Sequence, residues 1–234
     1  MTSQEILNQL LLERDAVFQH VSSVPLSGLF DREYESILSG ETFLMNDDPE
    51  KVLNDLQELR NNKTHDVAFA EKVNRVNTID EPQIIKGFIQ DWKMAFERVS
   101  GIVLKTEIHG ALVTYDAYDL PVQNGLGFYG KNEYPELRVP QYLPTSFYDQ
   151  SVEELHEVFD FTQAWPDCEE FDWTTEHIEA YYDLQKLFKL NSRVLLHKAL
   201  AAMDNNGSLS IIKHRPFHFY IAEHDLEVSM LYKL

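Results

Sequence analysis

The chain has one cysteine in 234 residues, Cys168, so no disulfide can form within it. That fits a reducing compartment. No stretch approaches the roughly 18 consecutive apolar residues of a membrane-spanning helix. The opening residues, MTSQEILNQLLLERD, carry no basic run ahead of the apolar ones and do not read as a secretory signal. The expectation is a cytoplasmic protein with no membrane partner. There is no internal repeat, low-complexity tract or sustained heptad pattern.

Positive charge is the next shortage. The net charge is −19, from 39 acids and 20 bases. The imbalance is uneven: residues 139–185 hold 12 acids and no lysine or arginine, whereas residues 186–234 hold 4 acids and 7 bases. A surface this acidic repels phosphate backbones, so nucleic-acid binding is not expected. It suits a basic protein partner.

Catalytic signatures are also missing. There is no G-x-S-x-G; VPLSGL lacks the first glycine, so a serine hydrolase has no support. GLGFYGKN (residues 125–132) has the outline G-x-G-x-x-G, with Lys131 behind it. A dinucleotide cradle needs a helix next, so that amides at its N-terminus meet the phosphates. Here NEYPELRVP follows, and Pro135 and Pro140 forbid that helix. The P-loop spacing and the companion motifs of a protein kinase are absent. The stretch reads as an aromatic-bearing turn, with no nucleotide or other cofactor expected.

Metal chemistry fares no better. HEVFD (His156, Glu157, Asp160) falls one residue short of the metalloprotease H-E-x-x-H on a helix, and no third ligand is evident. His214, His218 and His224 share a face on one extended strand with Tyr220, but four residues of strand span about 13 Å. Ligand bonds of about 2.1 Å cannot converge from there without a neighbouring strand. No metal is expected. Cys168 lies among acids in PDCEEFD, which disfavours a thiolate.

What the chain does have is 44% apolar residues, enough for a chain of this length to bury roughly 70% of its unfolded surface. The first hundred residues read as helices. Thr2-x-x-Glu5 has capping-box spacing, Asp48-Pro49 and Asp80 with Pro82 are helix starts, and Ile84, Phe88, Trp92, Ala95, Phe96 and Val99 make an apolar face. From Gly101 the period becomes two. IVLKTEI and ALVTYDAY flank His109-Gly110, which reads as a hairpin turn. Residues 119–150 resist assignment. Ser151-x-x-Glu154 reads as the start of a helix through Phe159, TQAWPDCEEFDW as a loop, and residues 174–203 as a long helix stopped by DNNG. SLSIIKH, PFHFYIA and LEVSMLYKL read as strands.

The expected fold class is therefore α+β. N-terminal helices (1–100) pack on a mainly antiparallel or mixed sheet built from strands in 101–140 and 207–234, with a long helix in 174–203, all in one domain of residues 1–234.

Two functional readings follow. The first is a binding or regulatory module of inhibitor or immunity type, engaging a basic protein through residues 149–183. Its contact candidates are Asp167, Glu169, Glu170 and Asp172 between Trp165 and Trp173, acids rimmed by aromatics, together with Phe128 and Tyr129. The second is an enzyme acting on a small polar substrate in a cleft lined by the aromatics of 115–148, drawing on Glu107, His109, Asp116 and Asp119. No spacing singles out catalytic residues, and the oligomeric state is not legible.

Overall fold

A computed structural model of the chain describes residues 1–23, 25–41, 48–61, 64–103, 108–116, 123–130, 151–164, 179–223 and 228–234. The helices are α1 (Ser3–Ser23), α2 (Leu26–Ser39), α3 (Pro49–Asn61), α4 (Thr64–Thr78), α5 (Glu81–Arg98), α6 (Ser100–Val103) and α7 (Glu179–Asn205). The strands are β1 (Ile108–Asp116), β2 (Gln123–Gly130), β3 (Ser151–His156), β4 (His218–Glu223) and β5 (Val228–Lys233). This is an α+β fold. Among the described residues, no helix is long and apolar enough to cross a membrane.

The helix starts follow their local signals. The Glu5 amide donates to Thr2 Oγ1 and the Thr2 amide to Glu5 Oε2, which closes a capping box. Asp80 caps α5 by accepting from the Gln83 amide at 3.1 Å, and Asp48 accepts from the Glu50 amide at 3.1 Å. Gly207, at φ 78, supplies the left-handed turn after α7.

The contacts divide the chain into two compact units. One comprises Met1–Leu10, Asp80–Ala164 and Ser192–Leu234 and holds the sheet, whose strand order is β3-β2-β1-β4-β5. The β1–β4 pair is parallel and the other three are antiparallel. Side chains alternate across a strand, so Ala111, Phe128, Phe219 and Tyr232, matched in register, share one face. Helix α5 lies on that face: Trp92 meets Phe219 at 5.4 Å and Phe159 at 4.9 Å between ring centroids, and Phe96 meets Phe128 at 6.0 Å. Helix α7 joins it through His197, whose ring packs on Tyr232. Each buried ring of this set contributes roughly 1.5–3 kcal/mol. The opposite face carries a second buried cluster of Leu112, Tyr129, Tyr220, Ala222 and Val228.

The other unit, Leu11–Ile79 with Trp165–Asn191, is helical in its described part. Phe30, Leu56, Phe69 and Val73 form its interior. Asp66 accepts from the amide and hydroxyl of Ser27, and the Arg60 guanidinium pairs with Asp31 while lying over the Tyr34 ring.

Four local readings are corrected. Residues 151–156 are a strand rather than a helix, because the pairing of Leu155 with Leu126 and its neighbours outweighs the capping-box spacing. His109-Gly110 is no hairpin turn; both lie within β1, where the β1–β2 register shifts between Ile108 and Gly110. A β-carbon at Gly110 would sit 2.9 Å from the His218 carbonyl oxygen, so this glycine serves close approach of β4. SLSI is a 3-10 helix, Ser208–Ile211, held by Asn206 Oδ1 accepting from the Ser208 amide. Residues 125–130 of the glycine stretch lie in β2, a strand flanked on both sides, and are not a turn.

Candidate functional site

The glycine spacing in β2 is the strand period. Gly125 and Gly127 face the same side. A β-carbon at Gly127 would collide with the Tyr129 ring, whose Cε2 would lie 2.9 Å away. The missing side chain makes room for a tyrosine, not for a phosphate. Phe128 and Tyr129 are both buried, at 0% and 2% exposure, on opposite faces of the sheet. Tyr115 is buried as well. The remaining partner-contact candidates, Trp165, Asp167, Glu169, Glu170, Asp172 and Trp173, lie outside the described residues.

The described part of the acidic stretch is β3 and the loop behind it. β3 is the last strand of the sheet, and Glu154, Glu157 and Asp160 are exposed. Among the described residues, none of the three has an ion-pair partner. Asp91 on α5 accepts from the Asp160 amide at 3.3 Å; burial holds its carboxyl above the usual range, opposed by that hydrogen bond and assisted by the Asp160 charge. HEVFD is not helical: His156 ends β3, and Glu157 takes a left-handed φ of 50, so the i, i+4 metal geometry does not exist. Such a conformation costs a non-glycine residue on the order of 1 kcal/mol. Asn124 fixes it in place. The Asn124 carbonyl accepts from the Glu157 amide, its Oδ1 accepts from the Val158 and Phe159 amides at 2.9 and 2.8 Å, and its Nδ2 donates to the Phe159 carbonyl at 2.7 Å.

The same end of the sheet holds a buried polar group. Tyr115 and Glu223 are opposite one another on β1 and β4, and Arg193 of α7 donates to Tyr115 Oη at 3.0 Å. Burial, offset by Arg193 and reinforced by Glu223, pushes the Tyr115 phenol up. Asp116 is the next residue of β1, while His109 is at the far end of the strand. Seven residues of strand separate them, roughly 23 Å. These two members of the enzyme reading therefore do not meet.

The far end gathers histidines instead. His109 and His214 stack with ring centroids 3.5 Å apart. His218 opens β4, opposite Gly110 on one side and Lys233 on the other. Burial, then Lys233, His214, His109 and the chain's α-amino group, hold its imidazole below the ordinary value. The neighbouring strand thus supplies the extra histidine that the sequence pattern demanded. Yet among the described residues no group of three or more His, Cys, Asp or Glu could hold a metal ion. The even spacing of His214 and His218 was the visible signal; His109 joins them only through the β1–β4 pairing.

A cavity of about 330 Å³ lies in the helical unit, lined by Val21, Pro25, Asp66, Phe69 and Val73 among others. Its one carboxylate, Asp66, is occupied by Ser27.

The chain matches no protein-family model, no curated protein and no solved structure.

Proposed function

We propose that this protein is a binding module of inhibitor or immunity type, engaging a basic protein through its acidic 149–183 segment. The observation that carries this reading is the run of 47 residues, 139–185, with 12 acids and no lysine or arginine. Carboxylates that served the fold would be expected to find cations. Glu154 on the last strand of the sheet and Glu157 and Asp160 in the loop behind it are exposed instead, Asp160 accepting only from the amide and hydroxyl of Thr162 among the described residues. Charge of one sign on an open edge also discourages pairing with a second copy of the same edge. It leaves the surface selective for a positively charged partner, which it would attract over a Debye length of about 8–10 Å.

The test is co-purification with the full-length chain, comparing wild type with the triple variant Glu169→Lys, Glu170→Lys, Asp172→Lys. The expected result is one stoichiometric partner of high isoelectric point, retained by wild type, weakened by added salt, and lost from the variant. Equal retention of every co-purifying protein by the folded variant would overturn the reading.

A further inference from the structure

The pair Asn-Gly occurs twice in the chain, at Asn124-Gly125 and at Asn206-Gly207. This pair carries a reaction of its own. The glycine backbone nitrogen can attack the carbonyl carbon of the asparagine side chain, because a residue without a β-carbon does not obstruct the approach. The fold sets the two pairs in opposite surroundings.

Asn124 is held against the reaction. Its Oδ1 accepts from the Val158 and Phe159 amides and its Nδ2 donates to the Phe159 carbonyl. Gly125 lies within β2, matched to Thr114 of β1 on one side and His156 of β3 on the other. Attack there would require strand pairing and side-chain bonds to be given up together.

Asn206 sits just beyond the end of α7, and both it and Gly207 are exposed. Its Oδ1 accepts from the amide of Ser208 at 2.9 Å and from the Ser208 hydroxyl. The first of these bonds closes a ring that contains both the carbon to be attacked and the Gly207 nitrogen. Two donors on one carbonyl oxygen also polarise it and stabilise the negative charge that attack would place there. The Gly207 amide itself donates to the Asp204 carbonyl at 3.0 Å, a bond of the final, exposed turn of the kind that frays readily.

We propose that Asn206 is a site of spontaneous modification, converting to aspartate and isoaspartate in the folded protein while Asn124 is spared. The Gly207 nitrogen bonds to Asn206 Cγ. Its proton passes through water to the side-chain nitrogen, whose bond to Cγ breaks and which leaves as ammonia. A five-membered succinimide remains. One water molecule then opens the ring at either carbonyl. One opening gives aspartate, and the other gives isoaspartate, with the main chain running through the former side chain. Both products place a carboxylate close to Asp204, at the negative end of the α7 dipole. Asp204 accepts from the Tyr232 hydroxyl at 2.8 Å, so the change falls where α7 is tied to β5. Isoaspartate also lengthens the main chain just ahead of the turn Ser208–Ile211.

The test is peptide mapping by mass spectrometry of the full-length chain, incubated at mildly alkaline pH both folded and unfolded in urea. Unfolded, the two Asn-Gly pairs should react at similar rates. Folded, Asn206 should stay within about threefold of its unfolded rate, whereas Asn124 should slow by about tenfold or more. Isoaspartate should be the larger product at position 206. Gly207→Ala places its β-carbon where no neighbouring atom lies, and should slow the Asn206 reaction about tenfold. Equal protection of Asn206 and Asn124 in the folded chain, or an Asn206 rate indifferent to Gly207→Ala, would overturn the assignment.

Discussion

The two ends of the sheet handle polar groups in opposite ways. At the end where β1 and β4 finish, Tyr115 takes the Arg193 guanidinium, Glu223 is buried opposite, and Asn124 makes three side-chain hydrogen bonds to the chain after β3. Apart from the Arg193 Nε, the donors named here meet acceptors, and charges of both signs are present. At the other end, His109, His214, His218 and Lys233 are partly open and share one sign. Pairing of the first kind closes a structure on itself. An arrangement of the second kind gathers protonatable groups whose charges oppose one another. The first kind resists loss of a hydrogen bond, and the second responds to pH.

The largest effect expected from breaking this contrast is at Asn124. Asn124→Ala removes two acceptor bonds and one donor bond at once and loosens Val158 and Phe159 beside the left-handed Glu157, whose own amide keeps the backbone carbonyl of residue 124. At about 1 kcal/mol per bond, the expected loss is about 3 kcal/mol, read from urea unfolding. Asn124→Asp keeps both acceptor bonds but turns a carboxylate oxygen toward the Phe159 carbonyl, so it should recover only part. A loss under about 1 kcal/mol for Asn124→Ala would mean the locked end is not locked by this residue.

These residues differ in how visible they are in the sequence. Caps and apolar stripes are local, so α1, α3 and α5 can be read from Thr2, Asp48, Asp80 and the Ile84–Phe96 face. β3 could not, because Ser151 and Glu154 have a helix-start spacing and only pairing with β2 decides otherwise. Gly125 and Gly127 mimic a phosphate loop when taken alone; their partners, Thr114, Leu155 and Tyr129, show they are relief for neighbouring atoms in a sheet. The histidine corner depends on pairing between residues more than a hundred positions apart, which no local spacing reports. The acidic stretch needed only counting.

A smaller loss is expected at Arg193. Arg193→Leu leaves Tyr115 Oη without its charged donor and removes the cation from the neighbourhood of Glu223. Hydrogen bonds to charged groups are worth about 1.5–3 kcal/mol, so about 2 kcal/mol is expected. The Arg193 Nε has no partner among the described residues, which keeps the figure from the top of that range. Tyr115→Phe should cost less than Arg193→Leu, since the guanidinium keeps its other surroundings. The reverse order would place the important contact on the phenol rather than on the charge.

The smallest effect separates the two kinds of end by pH. His218 and His197 both have imidazoles held below the ordinary value of 6.5, each chiefly by burial. The unfolded chain takes these protons as pH falls past 6.5, while the folded chain resists until lower pH. Stability from both groups is therefore complete above that value and declines as pH drops through the interval beneath it. The two histidines differ in what joins burial: a backbone hydrogen bond at His197, neighbouring charges at His218. His197 is buried and carries its proton on Nδ1, donated to the Leu231 carbonyl at 2.7 Å, so an anion in solution does not reach it. His218 is only partly buried, and the charges of Lys233, His214 and His109 add to burial in opposing its protonation, so salt that screens them should return part of the lost stability. Protonating carboxylates also relieves repulsion in a chain of charge −19, so the informative quantity is the difference between wild type and His218→Asn. That difference should shrink on acidification from about pH 7.5 to about pH 5.5 at low salt, and shrink less at high salt. A difference that ignores salt would leave burial alone as the cause at His218, as it is the chief cause at His197.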